Sequence, residues 1–458
     1  MKYYEDVLGL IGNTPLVRLN KLVPPGSATV LAKMEQLNPG GSVKDRMAYN
    51  MVKCAEDAGL LKPGATLVES TSGNTGLGLA MAAAVRGYKS IFTMPDKMSK
   101  EKIDMLKAYG AEVIVTKTDL DHDHPDSYVE TAKRIARETP QGFYTDQYYN
   151  MNNPEAHYLT TGPEIWADTD GKIDALVGGI GTGGTISGTA KYLKEQAAKV
   201  GRDVKVVCPD PMGSIYYDEF HTGTHGETSV YRVEGIGHDF MVGTLDFSVV
   251  DEVMPISDKN SFLTARRLAR EEGIFCGGST GTAVFGAIEV AKQLGPDKLV
   301  VVILADSGDR YLSKCFDDNW LKDMGYLDAE QRLGTVREVL DFKGGSVEFA
   351  NPNEDLSSVA RRMAELGISQ MPVETDGDGS FMIHEVDLLQ SLVSGRCTSE
   401  DPVRNSATVL MGQVAMDDPL SEVQKVFDEQ NVAVVMEHET IIGVISKIDV
   451  IEFLAART

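Results

Sequence analysis

Short apolar segments alternate with longer helical patterns between about residue 60 and residue 310. The apolar segments include residues 65–69, 90–94, 112–115, 175–177, 204–207 and 298–304. Strands that are apolar along their whole length, separated by helices, are typical of parallel sheets with helices on both faces. We therefore expect an α/β fold in which ligands bind at the loops beyond the carboxyl ends of the strands.

Composition and charge narrow the functional classes. The 458 residues are 42% hydrophobic and 24% charged, as in a globular protein of two or three domains. The net charge of −24 argues against nucleic acid and anionic membranes as partners, because both are bound by basic surface patches. No apolar run could span a membrane or serve as a signal core, so we expect a cytoplasmic protein. Five scattered cysteines predict reduced thiols, with neither a disulfide framework nor a metal site.

Lys44 follows an apolar segment, residues 30–32, and a Pro-Gly-Gly turn, residues 39–41, and it precedes a helical pattern over residues 45–58. An amine shielded beside a helix N-terminus loses part of its proton affinity, which a lysine that forms a Schiff base requires. A solvated lysine after a glycine turn explains this segment equally well. The other loops must decide between the two interpretations.

Three glycine-rich loops follow other predicted strands. Residues 70–76 open a helix with clustered hydroxyls and an amide, which makes a good receptor for a carboxylate. Residues 181–185 open another helix with backbone donors that could cradle a phosphate, although they match neither the Walker nor the Gly-x-Gly-x-x-Gly pattern. The third loop, residues 275–281, places Ser279 at the start of a further helix.

This order of loops, together with residues 11–19, resembles the fold-type-II enzymes that use pyridoxal 5'-phosphate, over roughly residues 1–320. The resemblance implies a tryptophan synthase β-like fold in which Lys44 forms the Schiff base with the cofactor. It also implies that Asn74 binds the ring hydroxyl and that Ser279 binds the pyridine nitrogen. The residues implied to hold the phosphate are Gly181, Thr182, Gly183, Gly184 and Thr185, and those implied to hold the substrate carboxylate are Thr71, Ser72, Thr75 and Gln147.

The hydroxyl of Ser279 bears on the type of reaction. An aspartate beside the pyridine nitrogen would keep it protonated and make the ring a deep electron sink. A neutral hydroxyl leaves a weaker sink, so that a carbanion at the substrate Cα expels a group from Cβ. The sequence therefore favours β-elimination and β-replacement over transamination.

Three further segments resemble the cystathionine β-synthase family: residues 146–148 with 153–158, residues 233–240, and residues 318–325. This resemblance implies that Tyr148, Glu234 and Gly235 contact the substrates, although a packed tyrosine and a solvated loop acid are alternatives. The implied reaction condenses L-serine and L-homocysteine to L-cystathionine and water. One alternative is a cysteine synthase acting on O-acetylserine and sulfide, because it shares the first loops. Another is a metabolite sensor whose catalytic half is inert.

Two departures from that family pattern bear on the expected cofactors and on the ring environment. The eukaryotic haem-binding extension is absent, since the catalytic signature begins near residue 9, so we expect no haem. Residues 306–311 follow the family pattern only in part.

An internal repeat begins after about residue 327. Residues 356–359 match residues 420–423 at a spacing near 64, and each opens a helical pattern followed by strand, turn, strand and helix. The repeat predicts a tandem βαββα module and resembles a pair of CBS domains. We expect a catalytic domain over residues 1–327, a linker over 328–335 and a regulatory pair over 336–458. The two repeats would span about 336–396 and 404–458.

Residues 443–449 resemble the adenosyl-binding motif of CBS domains. By this resemblance the Ser446 hydroxyl meets a polar group of the ligand, and Asp449 accepts the ribose hydroxyls. The first repeat has His384 at the position of the hydroxyl, so we expect at most one well-formed site, with S-adenosylmethionine as the leading ligand. A pair used only for subunit assembly is the alternative. We expect a homodimer or homotetramer.

Overall fold

Two compact units make up the chain, Met1–Tyr326 and Leu327–Thr458. The residues described in this computed structural model are 1, 3–71, 73–96, 98–117, 120, 124–226, 228–327, 334–344, 347–374, 381–429, 432–437 and 440–456. Most of the predicted linker, residues 328–333, lies outside the described residues.

Two sheets of mainly parallel strands form the frame of the first unit. Its strands within the described residues are β1 Leu16–Arg18, β2 Thr29–Met34, β3 Thr66–Ser70, β4 Lys89–Pro95, β5 Glu112–Thr116, β6 Gly142–Tyr144, β7 Ala175–Val177, β8 Lys205–Pro211, β9 Glu252–Ile256 and β10 Leu299–Leu304. The larger sheet has the order β1-β2-β10-β7-β8-β9, with β1 antiparallel to β2 and the other neighbours parallel. The smaller sheet, β5-β4-β3-β6, is parallel throughout.

Helices connect these strands. They are α1 Lys44–Asp57, α2 Asn74–Arg86, α3 Lys100–Ala108, α4 Tyr128–Glu138, α5 Asn152–Leu159, α6 Thr161–Asp168, α7 Gly184–Lys199, α8 Tyr216–Thr222, α9 Asp258–Arg267, α10 Gly278–Leu294 and α11 Asp318–Asp323. The helical pattern predicted over residues 45–58 is observed as α1, which begins one residue earlier at Lys44. The predicted α/β class with parallel sheets is confirmed.

Strand β10 shows why the strands are apolar along their whole length. Val300, Val302 and Leu304 pack into a core on one face of the larger sheet, together with helix α10. Val301 and Ile303 pack into a second core on the opposite face. Because both faces are covered, the strand is buried from Val300 to Leu304, and no polar alternation remains in the sequence.

The second unit consists of short strands and helices. Its described strands are β11 Gln370–Val373, β12 Phe381–His384, β13 Thr408–Val409, β14 Gln413–Ala415, β15 Val432–Glu437 and β16 Thr440–Ser446. Its described helices are α12 Val336–Lys343, α13 Leu356–Leu366, α14 Glu385–Val393, α15 Leu420–Glu429 and α16 Lys447–Ala455. The second repeat follows the order β14-α15-β15-β16-α16. The first repeat has α13-β11-β12-α14, preceded by a bridge of Ala350 to Val373.

No described helix is both long and apolar enough to cross a membrane. All five cysteines are free. The described part of the chain also contains no group of His, Cys, Asp and Glu side chains that could hold a metal ion.

Candidate active site

The segment that follows β10, residues 305–307, brings two distant loops together. The backbone N–H of Val43 donates to the carbonyl of Ala305 at 2.8 Å. The backbone N–H of Gly277 donates to the carbonyl of Asp306 at 3.2 Å. The loop before α1 and the loop before α10 therefore lie on either side of the end of β10, as expected for ligand loops at the carboxyl edge of a parallel sheet.

One pocket is lined by predicted site residues from four separate parts of the sequence. These residues are Lys44, Gly181, Thr182, Gly183, Thr185, Gly235 and Ser279. The lysine loop, the predicted phosphate loop and the lone serine thus face a shared space. The solvated-lysine interpretation of Lys44 is not supported by this placement.

Lys44 is the first residue of α1, and its amine lies in a polar but shielded setting. Desolvation lowers the pKa of Lys44, and the nearby carboxylates of Asp306 and Glu35 oppose part of that shift. A lysine with a lowered pKa is more often unprotonated, which a nucleophilic or basic amine requires.

The turn before Lys44 is held by its neighbour Asp45. The Asp45 carboxylate accepts the backbone N–H of Gly40 at 2.6 Å, and burial raises its pKa to about 7. A Cβ atom at Gly40 would lie 2.5 Å from Oδ1 of Asp45, so this position requires glycine.

The predicted phosphate loop offers backbone donors beside the hydroxyls of Thr182 and Thr185. Helix α7 begins at Gly184 after Gly183 in the left-handed region, and no side-chain hydrogen bond caps it. An added Cβ would lie 2.3 Å from the carbonyl oxygen of Gly235 at Gly181, and 2.0 Å from Oδ1 of Asn153 at Gly184. Close packing behind the loop thus excludes side chains at Gly181 and Gly184, and the helix N-terminus can receive an anion.

Two side chains from α5 support this loop. Asn153 donates to the hydroxyl of Thr182 at 3.0 Å and to the carbonyl of Gln147 at 2.8 Å. Nε2 of His157 lies 3.2 Å from the Thr185 hydroxyl. Burial, aided by nearby Arg46, lowers the pKa of His157 to about 3, so its ring is neutral. His157 lies within residues 153–158, one of the segments that carry the family resemblance, but the sequence assigns it no role in the site.

The predicted carboxylate receptor forms a hydrogen-bonded cluster at the start of α2. The Thr75 hydroxyl donates to Oε1 of Gln147 at 2.6 Å, and Nε2 of Gln147 donates to the carbonyl of Ser70 at 2.6 Å. The Thr71 hydroxyl oxygen accepts the N–H of Gly73 at 3.0 Å. The predicted contact Ser72 lies outside the described residues. The cluster brings Thr71, Thr75 and Gln147 together, and their substrate role remains a prediction.

Asn74 is held by residues that the sequence analysis did not assign to the site. Its Nδ2 donates to Oδ2 of Asp306 at 2.7 Å, and its Oδ1 accepts a hydrogen bond from Arg310. The Tyr311 hydroxyl also donates to Asp306, at 2.6 Å. Asp306 lies two positions beyond the end of β10, so the rule that ligand loops follow strand ends could have identified it.

Two predicted substrate contacts, Glu234 and Tyr148, are hydrogen-bonded to other side chains of the protein. Glu234 accepts hydrogen bonds from Lys102 and Lys314, each at 2.5 Å, and these lysines lower its pKa although burial alone would raise it. Its carboxylate is therefore already ion-paired. The Tyr148 hydroxyl lies 3.3 Å from that of Tyr128. Substrate contacts by Glu234 and Tyr148 remain predictions that this geometry does not favour.

These residues fit pyridoxal phosphate. A helix N-terminus without a side-chain cap, behind glycines that admit no Cβ, suits a phosphate. A desolvated lysine amine and the Ser279 hydroxyl line the same pocket. The Asn74 amide, whose orientation is set by Asp306 and Arg310, can offer its second Nδ2 hydrogen to a ring oxygen.

Comparison with known proteins agrees with this fit. Residues 7–306 match the family of pyridoxal-phosphate dependent enzymes, and residues 412–456 match the CBS domain. The cystathionine beta-synthase of Dictyostelium discoideum is 38% identical over 466 residues, covering 98% of this chain and 92% of the relative. The chain belongs to the cystathionine beta-synthase family. Its relative of that name in Saccharomyces cerevisiae is 35% identical and is matched over 98% of both chains.

Other relatives of this cystathionine beta-synthase family member match a shorter stretch. A probable cysteine synthase of Bacillus subtilis is 47% identical over 316 residues, which is 68% of this chain and 97% of that protein. The crystal structure of an O-ureido-L-serine synthase has a TM-score of 0.63 at 37% identity, and it covers 70% of this chain and 100% of that chain. The fold-type-II fold is confirmed.

The predicted adenosyl site of this family member already has internal hydrogen bonds. The Ser446 side chain caps α16 by accepting the backbone N–H of Asp449. In turn, the Asp449 carboxylate accepts the backbone N–H of Ser446 at 2.7 Å. Asp449 also accepts a hydrogen bond from Nζ of Lys343 at 2.8 Å. This contact lowers the pKa of Asp449, although burial alone would raise it. His384 in the first repeat makes no side-chain cap and lies 3.2 Å from Gln370. The two repeats therefore differ in side-chain capping at this position, and the adenosyl site itself stays a prediction.

Proposed function

We propose that this chain condenses L-serine and L-homocysteine to L-cystathionine and water by a pyridoxal-phosphate-dependent β-replacement. The observation that carries the proposal is the match to cystathionine beta-synthases along both units. The pocket that joins Lys44, the phosphate loop and Ser279 supports the same chemistry. The domain boundaries proposed with it are residues 1–327 for catalysis and 336–458 for the regulatory pair.

Each residue type has a defined task in this reaction. Bound pyridoxal phosphate would supply the electron sink for negative charge at the substrate Cα. Nζ of Lys44 takes the Cα proton of serine and returns it after the thiol sulfur has bonded to Cβ. The C–O bond at Cβ breaks and the serine hydroxyl leaves as water with a proton from the medium, and the thiol of homocysteine releases one proton to the medium as its sulfur bonds to Cβ. The hydroxyl of Ser279 leaves the sink weak, which favours loss of the Cβ group over storage of the charge.

Substrate orientation is assigned to the cluster at the start of α2. Thr71, Thr75 and Gln147 present hydroxyl and amide groups suited to a carboxylate, beside the helix N-terminus. Helix α2 crosses α1 closely, since a Cβ at Gly78 would lie 3.3 Å from the carbonyl of Lys44. A carboxylate bound there can hold the substrate Cα near the lysine amine.

A cysteine synthase activity with O-acetylserine and sulfide is the second candidate. It is favoured by the 47% identity to the Bacillus subtilis relative, which exceeds the 38% found with the Dictyostelium protein. That match covers 68% of this chain, whereas the synthase match covers 98%. Both substrate pairs must therefore be assayed with one preparation.

A first experiment separates either enzyme from an inert sensor. Purified protein is expected to carry a visible absorbance band of the cofactor bound to Lys44, and Lys44→Ala to lose both the band and turnover. A colourless parent that stays colourless after addition of pyridoxal phosphate would contradict the proposal. A Soret band would contradict the expected absence of haem.

S-adenosylmethionine is proposed as the ligand of the second repeat, at Ser446 and Asp449. Calorimetry of the parent should show binding heat, which Asp449→Asn should abolish. Lys343→Met is the matched control, because it breaks the ion pair to Asp449 without altering the carboxylate. Equal heats for the parent and Asp449→Asn would overturn the assignment. A homodimer or homotetramer in a reducing cytoplasm completes the proposal.

A further inference from the structure

Glu69 is a buried carboxylate with no part in the chemistry described so far. It lies in β3 and is 0% exposed. Its Oε1 accepts the N–H of Ser70 at 2.9 Å and the hydroxyl of Ser70 at 3.2 Å. Its Oε2 accepts the N–H of Gln147 at 3.1 Å and the hydroxyl of Thr145. Among the described residues no cation is ion-paired with it, so its four neutral donors offset only part of the cost of burial, and burial raises the pKa of Glu69 to about 7.

The position of Glu69 explains why a carboxylate is needed there. Strands β3 and β6 are paired up to Val68 and Tyr144, and Thr145 then donates its N–H to the carbonyl of Val68 at 3.1 Å. Beyond that point the chain turns through Asp146, which has a φ of 55°. Aspartate adopts this left-handed region more readily than most non-glycine residues, and hydrogen bonds from its surroundings stabilise it there.

Glu69 supplies that surrounding on both sides of Asp146. Thr145 and Gln147 flank the turn, and both donate to the same carboxylate oxygen. The carboxylate thus replaces the strand pairing that ends at Tyr144. It sets where the main chain of Gln147 leaves the sheet.

The carboxylate of Glu69 also holds Ser70, which is hydrogen-bonded to the Gln147 side chain. Nε2 of Gln147 donates to the carbonyl of Ser70, whose N–H and hydroxyl both donate to Glu69. Oε1 of Gln147 then accepts the Thr75 hydroxyl. Glu69 therefore orients both main-chain segments that meet at the predicted carboxylate receptor.

We propose that Glu69 is a positioning residue that places the Gln147 amide for recognition of the amino acid substrate's carboxylate. The proposal rests on the proposed function, which assigns Gln147 and Thr75 to that carboxylate. In this proposal the positions of Gln147 and Thr75 depend on the hydrogen bonds that uncharged groups donate to the buried Glu69.

Glu69→Gln tests the proposal because it keeps the shape of the side chain and replaces one acceptor oxygen with a donor. We expect KM for serine and the half-saturation of the serine-induced change in cofactor absorbance to rise about tenfold. The turnover number and the absorbance without serine should stay as in the parent. Glu138→Gln, at an exposed position of α4, is the control and should leave all four quantities unchanged.

A double-mutant cycle with Gln147→Ala distinguishes positioning from general destabilisation. If Glu69 acts through Gln147, Glu69→Gln should add little to the KM increase already caused by Gln147→Ala. Thr145→Val, which removes one donor to Glu69, should raise KM in the same direction by a smaller factor. This variant keeps the proposal testable where Glu69→Gln does not fold.

The outcomes separate this proposal from the proposed function. A parent-like KM in Glu69→Gln, additive losses in the cycle, or a fall in turnover and cofactor absorbance together would overturn the role of Glu69. Titrating O-acetylserine alongside serine covers the alternative substrate, because both carry the same carboxylate. A parent that responds to neither amino acid would overturn the proposed function itself.

Discussion

Asn74 donates a hydrogen bond to Asp306 at 2.7 Å, although the two residues are 232 positions apart in the sequence. Arg310 holds the other end of the same amide, so that Nδ2 is the end left to face a ligand oxygen. A side-chain amide fixed at both ends cannot rotate to present its oxygen instead. The orientation of the predicted ring contact is thus set by the segment after β10.

Asp306→Asn should weaken cofactor binding. The substitution removes a charged acceptor that both Asn74 and Tyr311 use, and hydrogen bonds to charged groups are the stronger ones. We expect the dissociation constant of pyridoxal phosphate for the cofactor-free protein to rise about tenfold. Fluorescence titration measures it, with Asp309→Asn at an exposed position of the same turn as control. Equal affinity in both variants would show that Asp306 does not orient Asn74 for the cofactor.

Gly181→Ala should disrupt the phosphate loop. The added Cβ would lie 2.3 Å from a backbone oxygen of Gly235, which cannot move without shifting its own loop. We expect at least about a tenfold loss of cofactor affinity. Gly59→Ala is the control, because no atom lies within 4 Å of the new Cβ, although the positive φ of 69° at Gly59 adds a backbone strain that Gly181→Ala does not have. Similar affinities for the two variants would argue against this loop as the phosphate site.

Ser279→Asp should slow β-replacement more than Ser279→Ala does. A carboxylate at this position would keep the ring nitrogen protonated, so that charge is stored instead of expelling the group at Cβ. We expect turnover to fall about tenfold or more for the aspartate variant, measured with serine and saturating thiol. Cofactor content is measured in parallel. An aspartate variant that carries cofactor and turns over as fast as the parent would contradict the role assigned to Ser279.

His157 should make the first unit sensitive to acid. Burial lowers the pKa of His157 from 6.5 to about 3. Between these two pH values the unfolded chain binds a proton at His157 and the folded chain does not. The stability contributed by this depressed pKa is present above 6.5 and is lost as pH falls toward the folded value. His157→Gln lacks this proton uptake. Its deficit in thermal unfolding temperature relative to the parent should therefore shrink between about pH 8 and about pH 5, whereas a constant deficit would contradict a neutral buried ring.

The sequence predicts the elements that carry the site better than the contacts within it. Strands apolar along their whole length identify parallel sheets, and the loops after them contain Lys44, Gly181 and Ser279. All three line one pocket. This succeeds because the carboxyl edge of a parallel sheet gathers loops that are far apart in the sequence.

Contacts between single polar side chains are not predictable in this way. Glu234 pairs with Lys102 and Lys314, which are 132 and 80 positions away, and no periodic pattern marks such a pair. Glu69 reads in the sequence as one polar residue at a strand end, yet it is buried among neutral donors. Buried polar networks depend on packing between elements, which the sequence pattern leaves open.

The measurement that tests the central claim most directly is a paired-substrate assay of the purified, cofactor-loaded protein. Serine with homocysteine and O-acetylserine with sulfide are assayed side by side, with Lys44→Ala as blank and products identified by mass. We predict that cystathionine formation has the higher kcat/KM. Equal or faster formation of cysteine from O-acetylserine and sulfide would contradict the proposed function.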